Sequence, residues 1–229
     1  MTVTLGFKVL KRKRAISAEW IAKYKTIPVA NISDSINRLT GFGPRLRPYH
    51  AGSVLCGTAL TVKSRPGDNL MLIAAVTMIK PGDVIVADCG GDLTNSIAGE
   101  RMLVAAQRRG AAGFIVNGAI RDVAWVKKND FPVYAAGVHH RGPYKSGPGE
   151  INVPVAIDGQ VIEPGDLIIG DEDGLLCVPY DEVEALYPIA LEKQRDEAAT
   201  FDALATGDQN TDRERMFARI RKLGCHVEE

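Results

Sequence analysis

The residues best suited to chemistry lie in one stretch of the chain, from Gly90 to Asp122. Glu100 follows a glycine in this stretch, and the pair Arg121-Asp122 follows an apolar segment that contains Gly118. Carboxylate oxygens suit hard cations such as Mg²⁺ or Mn²⁺, so Asp122 is a candidate metal ligand. Arg121 carries a planar fork of donors that matches a carboxylate. These residue types predict a site for a small anionic substrate held beside a metal ion.

Each of these residues also has a simpler interpretation. Asp is a favoured N-cap, and periodicity alone favours Asp122 as the cap of the helix that follows it. Arg121 can form a surface ion pair, which contributes little to stability. Gly99 can present N–H groups and a helix dipole to an anion, or it can simply allow a helix and a strand to pack closely. The residues alone leave these alternatives open.

The elements that must position these side chains are two buried strands and an amphipathic helix. The apolar run Val84 to Ala87 predicts a fully buried strand, which a glycine-rich turn beginning at Gly90 follows. Arg101 to Arg109 is an amphipathic helix closed by Gly110, and Gly113 to Val116 is a second buried run. Polar, glycine-containing ends of the second strand then bring the carboxylate, the guanidinium and backbone N–H groups together.

The other elements are predicted from periodicity and turn residues. In chain order we expect a helix capped by Ser17, a helix from Val29 to Leu39, a strand from Ser53 to Lys63, a helix from Asn69 to Ile79, a short helix from Asp122 to Lys128, a strand from Phe131 to Ala135 and four short strands between Val153 and Val178. The sequences Pro81-Gly82-Asp83 and Pro164-Gly165-Asp166 are interpreted as turns into strands.

The C-terminal part predicts a long helical arm. It is helical from Asp181, with Pro188 either kinking the helix or marking its start, and a final helix runs from Asp212 to Leu223. Because the arm is mostly polar and long, we expect it to pack on a neighbouring subunit.

The length suits one domain over residues 1–229, and no linker divides it. The predicted elements make it an α/β domain with N-terminal helices in 1–40 and the helical arm in 181–229. The formal net charge is zero, so broad nucleic-acid binding is not expected, and the basic run at 11–14 is interpreted as a solvated arm. Without a long apolar run or a signal peptide, the expected location is cytoplasmic and no membrane partner is expected.

The four cysteines do not form a Cys-x-x-Cys pair. Three lie in or beside apolar, strand-like runs, which predicts reduced and mostly buried thiols rather than a disulfide framework or a zinc site.

Several motifs, taken in order, resemble the RraA-like family. They are Gly90-Gly91-Asp92, Gly99-Glu100, Gly118-Ala119-Ile120-Arg121-Asp122, Phe131-Pro132-Val133-Tyr134 and Arg141-Gly142-Pro143, with twenty residues between Glu100 and Arg121. That family includes class II pyruvate aldolases acting on 4-hydroxy-4-methyl-2-oxoglutarate and 4-carboxy-4-hydroxy-2-oxoadipate. The resemblance, from about Val29 to Gly207, implies a layered β/β/α swivelling-domain-like fold with flanking helices and an extended C-terminal helical arm. It also implies a homotrimer or homohexamer.

The resemblance implies roles for individual residues. Asp122 would be the direct ligand of Mg²⁺ or Mn²⁺, and Arg121 would contact the pyruvyl group and stabilise its enolate. Glu100 would orient a metal-bound water, at a position where the aldolases have Asp. Asn117 is a second departure, because the family often has Asp there.

Further residues would complete the site. Backbone groups of Gly99, Arg101 and Met102 would face the substrate carboxylate. Glu197, from the C-terminal helix of an adjacent subunit, would supply a further catalytic carboxylate. Apart from the resemblance, His139 and His140 lie in a loop, where histidines are more often structural or solvated than ligands, and a substrate-side contact by either stays open.

The implied activity is metal-dependent cleavage of a carbon–carbon bond that releases pyruvate. Retro-aldol cleavage of a 4-hydroxy-2-oxo acid and decarboxylation of oxaloacetate both pass through one pyruvate enolate, so the sequence does not separate them. The core motif contains no lysine that would suggest a Schiff base. The alternative is a non-catalytic regulator that binds a ribonuclease, as the family's name-giving member does. A methyltransferase is set aside because no Gly-x-Gly-x-x-Gly follows a strand.

Overall fold

A computed structural model of the chain describes residues 5–206 and 209–228. The strands are β1 (Phe7–Val9), β2 (Arg47–Pro48), β3 (Leu55–Ser64), β4 (Asp83–Ala98), β5 (Gly113–Ile120), β6 (Val133–Val138), β7 (Gly149–Ile151), β8 (Val155–Ile157), β9 (Gln160–Ile162), β10 (Leu167–Gly170) and β11 (Leu175–Val178). The helices are α1 (Ala18–Tyr24), α2 (Val29–Ser35), α3 (Leu70–Met78), α4 (Glu100–Arg108), α5 (Val123–Val126), α6 (Val183–Thr206) and α7 (Gln209–Lys222). The predicted α/β class is confirmed.

The main sheet has the order β1-β7-β3-β4-β5-β6-β2, and the β10–β11 hairpin joins it along β3. Strands β3, β4, β5 and β6 run parallel to one another. Strands β8 and β9 form a separate antiparallel pair. Parallel strands end at one edge of a sheet, and open α/β sheets bind ligands outside that carboxyl edge. The edge where β4 and β5 end is therefore the place to look for a site.

Alternation along the buried strands divides the core into layers. On β4, Ile85 and Ala87 pack in one apolar cluster with residues of α3, α4 and α5. Val84 and Val86 point to the opposite face and pack in a second cluster with residues of β8, β9 and β10. A third cluster joins α1, α2 and α6 to β10 and β11. The period of two along each strand thus produces helices on one face and strands backed by helices on the other.

The two N-terminal helices show where local sequence patterns do and do not predict the ends of a helix. Ser17 caps α1 as predicted, because its Oγ accepts a hydrogen bond from the N–H of Trp20 at 3.3 Å. Helix α2 ends at Ser35 rather than Leu39. Asn37 and Arg38 adopt left-handed backbone conformations with φ of 58° and 62°, which end the helix early.

Strand β4 is much longer than predicted. It continues to Ala98 instead of ending at Ala87, and the segment beginning at Gly90 is a bulged part of the strand rather than a turn. Gly90 and Gly91 have φ of 68° and 70°, and the register against β5 shifts three times between Asp88 and Ala98. Glycines at positive φ bend the backbone while pairing with β5 resumes, so the chain returns to the sheet edge.

The C-terminal arm has a packed part and a projecting part. Val183, Leu186 and Ala190 of α6 are buried, whereas residues 195–202 are exposed or half-buried. Pro188 lies inside α6, so it does not mark the start of the helix. The final helix begins at Gln209, three residues before the expected Asp212, and the side chains described from Arg213 to Lys222 are exposed or half-buried.

The cysteines agree with the prediction of reduced and mostly buried thiols. Cys56, Cys89 and Cys177 are buried and free, and Cys225 is free and exposed. Within the described residues, none of the helices is both long enough and apolar enough to span a membrane.

Candidate active site

The pairing of β4 with β5 brings the two halves of the predicted motif together. Ala98, the last residue of β4, pairs with Ile120, the last residue of β5. The N–H of Arg121 then donates to the carbonyl oxygen of Ala98 at 3.0 Å. The residues that follow each strand, Gly99 and Arg121, are consequently neighbours. The start of α4 therefore lies beside the Arg121-Asp122 pair.

Asp122 occupies the N-cap position of α5, where its carbonyl oxygen accepts the N–H of Trp125 at 2.9 Å. Its side chain makes no capping hydrogen bond there. Its Oδ2 instead accepts the N–H of Glu100 at 3.0 Å, which places the carboxylate at the N-terminus of α4. Asp122 is thus the N-cap of α5 by position, as predicted, but its carboxylate bonds to a different helix. Backbone preferences are local, whereas the actual donor lies 22 residues earlier in the chain.

The backbone of Asp122 is strained, with φ of 59° in the left-handed region. Asp is one of the few residues that enter this region, at an energetic cost of order 1 kcal/mol. Such strain is concentrated at functional sites. The geometry therefore points to a requirement for the position of this carboxylate rather than for the stability of α5.

Gly99 is needed for a close approach of side chains. A Cβ atom at this position would lie 2.5 Å from Oδ2 of Asp122 and 2.9 Å from Cγ of Arg121. Both distances are shorter than van der Waals contact, so any larger residue would displace the pair. The glycine therefore leaves room for the site itself.

The guanidinium of Arg121 is available to a ligand. Its Nε lies 3.8 Å from Oδ2 of Asp122, which is the outer limit of an ion pair, and its side chain is 46% exposed. A contact so long and so solvated holds the guanidinium weakly. Arg121 is thus free to form the bidentate pair with a carboxylate that its shape favours.

A cavity of about 310 Å³ opens beside these residues. Five residues predicted from the sequence line it, namely Gly99, Arg101, Met102, Arg121 and Asp122. The resemblance assigns backbone groups of Met102 to the substrate carboxylate. The N–H of Met102 instead donates to the carbonyl oxygen of Gly99 at 2.9 Å, so it is satisfied within the protein.

The sequence reasoning missed three polar residues that line the same cavity, Asn69, Ser96 and Lys145. It also missed an apolar wall to which Ile73 and Val76 of α3 contribute. Asn69 stands at the start of a predicted helix, and a polar residue at a helix start is a candidate for a binding site. Lys145 lies in a loop rich in Gly and Pro, and nothing in the spacing of that loop predicts which way it folds.

Glu100 lines an adjoining groove rather than the cavity. It shares this groove with Arg101 and Asp122, so it is near the site but on the outer side of α4. The extra methylene of Glu relative to Asp gives its carboxylate a longer reach from the helix.

His139 and His140 lie on the other side of Asp122. Their rings stack with centroids 4.7 Å apart, and they line a third hollow together with Arg121 and Asp122. Nδ1 of His139 accepts the N–H of Arg141 at 3.0 Å, which leaves the proton of the neutral ring on Nε2.

Glu197 lies away from these three openings. Its Oε2 accepts a hydrogen bond from Nδ2 of Asn31, so within this chain α6 holds it against α2. Its expected role belongs to an adjacent subunit and stays a prediction.

Asn117 has a physical reason to be an amide. It is buried, and its Nδ2 donates to Oδ1 of Asp88 at 2.8 Å. An aspartate at this position would place two carboxylates against each other in the sheet. An amide at this position is therefore compatible with Asp88.

Fold and site together define a mixed α/β protein with a carboxylate and a guanidinium beside a cavity at the carboxyl edge of its parallel strands. The family model "RraA-like: Aldolase/RraA" matches residues 29–177, and the chain belongs to this family.

Relatives and solved structures agree with this assignment. A protein of Halalkalibacterium halodurans named "Putative 4-hydroxy-4-methyl-2-oxoglutarate aldolase" is 40% identical over 187 residues, which cover 82% of this chain and 89% of that protein. An uncharacterized protein from Pseudomonas syringae has the same fold, with a TM-score of 0.77 and 24% identity over 85% of this chain and 96% of its own. The RNA-processing inhibitor RraA from Thermus thermophilis has a TM-score of 0.62 and 26% identity over 66% of this chain and 92% of its own.

Proposed function

We propose that this protein is a divalent-metal-dependent carbon–carbon lyase that releases pyruvate from a 4-hydroxy-2-oxo acid. The observation that carries the proposal is that Arg121 and Asp122 lie together at a cavity, beside Gly99, whose lack of a side chain leaves the space that they occupy. The printed name of the relative from Halalkalibacterium halodurans supports the same reaction class. Decarboxylation of oxaloacetate belongs to the proposal because it generates the same enolate.

The donor set around Asp122 fits a hard divalent cation. The hydrogen bonds of the described residues leave its Oδ1 without a protein donor, and the side chain is 43% exposed. The described residues contain no group of three or more His, Cys, Asp or Glu that could hold a metal. Mg²⁺ commonly retains several waters and binds through one or two carboxylates, so Asp122 with solvent and substrate oxygens is sufficient. When bound, such a cation would act as a Lewis acid on the 2-oxo acid.

Arg121 would bind the carboxylate of the pyruvyl group and stabilise the negative charge that develops on cleavage. A guanidinium already placed where negative charge develops stabilises that charge without reorganisation during the reaction. The N-terminus of α4 would add a favourable dipole close to the same place.

Glu100 would act in the two proton transfers of the reaction. Its carboxylate lies on the first turn of α4 next to Asp122, within the groove that both residues line. A carboxylate there is suited to orient a water that removes the proton of the 4-hydroxyl group, and later to return a proton to the enolate carbon.

The charges of the cavity favour a substrate with two carboxylates. Arg101, Arg121 and Lys145 are cations, and Asp122 is the carboxylate among the lining residues. The compound 4-hydroxy-4-methyl-2-oxoglutarate carries one carboxylate at each end, and its methyl group suits the apolar wall near Ile73.

The complete site would include Glu197 of an adjacent copy in a homotrimer or homohexamer. The projecting half of α6 supports this arrangement, because helices that expose most of their surface in one chain commonly find partners in another.

The test is pyruvate release from 4-hydroxy-4-methyl-2-oxoglutarate and from oxaloacetate, each with Mg²⁺, with Mn²⁺ and with excess EDTA. We expect metal-dependent release from at least one substrate and none with EDTA. Absence of release from both, with metal shown to bind, would contradict cleavage of these two substrates. It would point to another 2-oxo acid or to the alternative of a regulator that binds a ribonuclease; the Thermus relative is named an RNA-processing inhibitor.

A further inference from the structure

The chain uses one type of turn three times, at Pro66-Gly67-Asp68, Pro81-Gly82-Asp83 and Pro164-Gly165-Asp166. Each glycine has a positive φ, at 72°, 87° and 105° respectively. In each turn the N–H of the aspartate donates to the carbonyl oxygen three residues earlier, at 3.0–3.2 Å. A proline followed by a glycine at positive φ is the pattern of a type II turn. All three aspartates are buried.

In two of the turns the aspartate side chain closes its own turn. Oδ2 of Asp83 accepts the N–H of Lys80 at 2.9 Å, and Oδ2 of Asp166 accepts the N–H of Glu163 at 2.8 Å. These oxygens satisfy the first N–H of the turn. The other oxygen of each carboxylate has a more distant partner: Nη1 of Arg12 donates to Oδ1 of Asp83 at 2.6 Å, and the N–H of Tyr180 donates to Oδ1 of Asp166 at 3.0 Å.

In the third turn the carboxylate is directed elsewhere. Oδ1 of Asp68 accepts the N–H of Leu70 at 2.9 Å, and Oδ2 accepts the N–H groups of Ser146 and Gly147 at 2.7 and 2.9 Å. The N–H of Arg65, which opens this turn, donates to the carbonyl oxygen of Pro148 at 3.3 Å instead. Asp68 therefore joins the start of α3 to a distant loop through bonds that the other two turns lack.

That loop carries Lys145 into the cavity. Ser146, the residue after Lys145, is held by Asp68, and Tyr144, the residue before it, exchanges backbone hydrogen bonds of 2.8 and 3.0 Å with Gly67 and Asn69. Asn69 also lines the cavity, so one turn places polar residues on two of its walls. Asp68 does not line the cavity itself, and it has no solvent-exposed surface.

We infer that Asp68 is a positioning residue that sets Lys145 and Asn69 for the part of the substrate beyond the pyruvyl group. This inference rests on the proposed function for its substrate. Two converging N–H groups need an acceptor, and a carboxylate oxygen accepts both in charge-assisted bonds. An amide in its place can turn an NH₂ group toward these donors or accept with a single oxygen, which loosens the loop.

The test compares Asp68→Asn with Asp166→Asn, a matched variant of a buried turn aspartate that bonds away from the loop. The first readout is limited digestion with trypsin, mapped by mass spectrometry. We expect Asp68→Asn to be cut after Lys145 at least about tenfold faster than the wild type, because cleavage requires local opening of the loop. Asp166→Asn should be cut there at the wild-type rate.

The second readout is kinetic. We expect Asp68→Asn to raise the KM for 4-hydroxy-4-methyl-2-oxoglutarate about tenfold while kcat stays within about twofold, the pattern of lost uniform binding. Lys145→Ala should raise KM similarly, and the double variant should raise KM by less than the product of the two single effects, because both changes act on the contact that Lys145 makes.

The two readouts fail independently. Wild-type protein that releases no pyruvate would overturn the proposed function, while the digestion would still decide whether Asp68 holds the loop. Asp68→Asn that resists trypsin as the wild type does and keeps the wild-type KM would overturn the inference. An equal effect of Asp166→Asn on KM would show a general loss of structure and would also overturn it.

Discussion

At the residue scale, the site depends on how closely Asp122 approaches the start of α4. Its carboxylate accepts the N–H of Glu100, its backbone is held in the left-handed region, and Gly99 leaves the space that it occupies. These three features act on one carboxylate. Its Oδ2 is bonded to the start of α4, and its Oδ1 takes no part in that hydrogen bond. A small change at Gly99 should therefore be felt at Asp122.

Gly99→Ala should reduce metal-dependent pyruvate release by at least about tenfold, because the added Cβ displaces Oδ2 of Asp122 and displacements of about 1 Å can cost two orders of magnitude. The φ of Gly99 is −160°, an extended conformation open to alanine, so the thermal unfolding midpoint should change little. Gly41→Ala is the control, since a Cβ there meets no atom within 4 Å. Wild-type kinetics of Gly99→Ala would contradict the steric argument.

The types of the site residues could be predicted, but several of their partners could not. An Arg-Asp pair after a buried strand indicates anion and metal chemistry from the residues themselves. The bond from Glu100 to Asp122 depends on the register between β4 and β5, which local propensities do not contain. Lys145 was missed for the same reason, because long-range bonds to Asp68 decide the path of its loop.

At the element scale, β4 shows how a glycine-rich segment misleads. Gly90 and Gly91 have the composition of a turn, and the strand nevertheless continues through them. Pairing with Gly118, Ala119 and Ile120 of β5 outweighs the local preference, at the cost of a shifted register. The bulge is useful to the site, because it sets where β4 ends and thus where α4 begins.

Helix α7 exposes most of its described side chains when the chain is taken alone. Three apolar residues recur at i, i+4 and i+7 at its C-terminal end: Met216, Ile220 and Leu223, the residue that follows the helix. Met216 and Leu223 are largely exposed. A helix of 14 residues is marginal in water without a packing partner. The predicted packing of the arm on a neighbouring subunit would supply one.

Met216→Glu combined with Ile220→Glu should lower the oligomer mass measured by sedimentation equilibrium, because charges would enter the apolar stripe at the contact. Arg215→Glu, on another face of the same helix, should leave the mass unchanged. An unchanged mass for the double variant, or a wild-type monomer, would contradict the packing of α7 on another copy.

At the scale of the whole molecule, the layered core follows from alternation along the strands and could be anticipated. Each central strand sends alternate residues to two apolar clusters, as Ile85 and Val86 do. The order of strands and the attachment of the β10–β11 hairpin to β3 could not be derived in this way, because periodicity identifies faces and not neighbours.

Burial of three cysteines in this core predicts their reactivity. Burial raises the pKa of Cys56 to about 12, and it raises the pKa of Cys89 and Cys177 well above the usual value of a thiol. A raised pKa keeps the unreactive thiol form at pH 8. A thiol reagent such as dithionitrobenzoate should therefore titrate one thiol per folded chain, the exposed Cys225, and all four in denaturant. More than one fast thiol in the folded protein would contradict this packing.

The central claim is that Asp122 holds the metal that makes pyruvate release possible, and one measurement tests it most directly. It is the rate of pyruvate release from 4-hydroxy-4-methyl-2-oxoglutarate in Mg²⁺ for the wild type and for Asp122→Ala, with circular dichroism confirming that both are folded. We predict metal-dependent turnover in the wild type and a loss of at least about a hundredfold in the folded variant. Near wild-type turnover by a folded Asp122→Ala would contradict the assignment of this carboxylate to the metal.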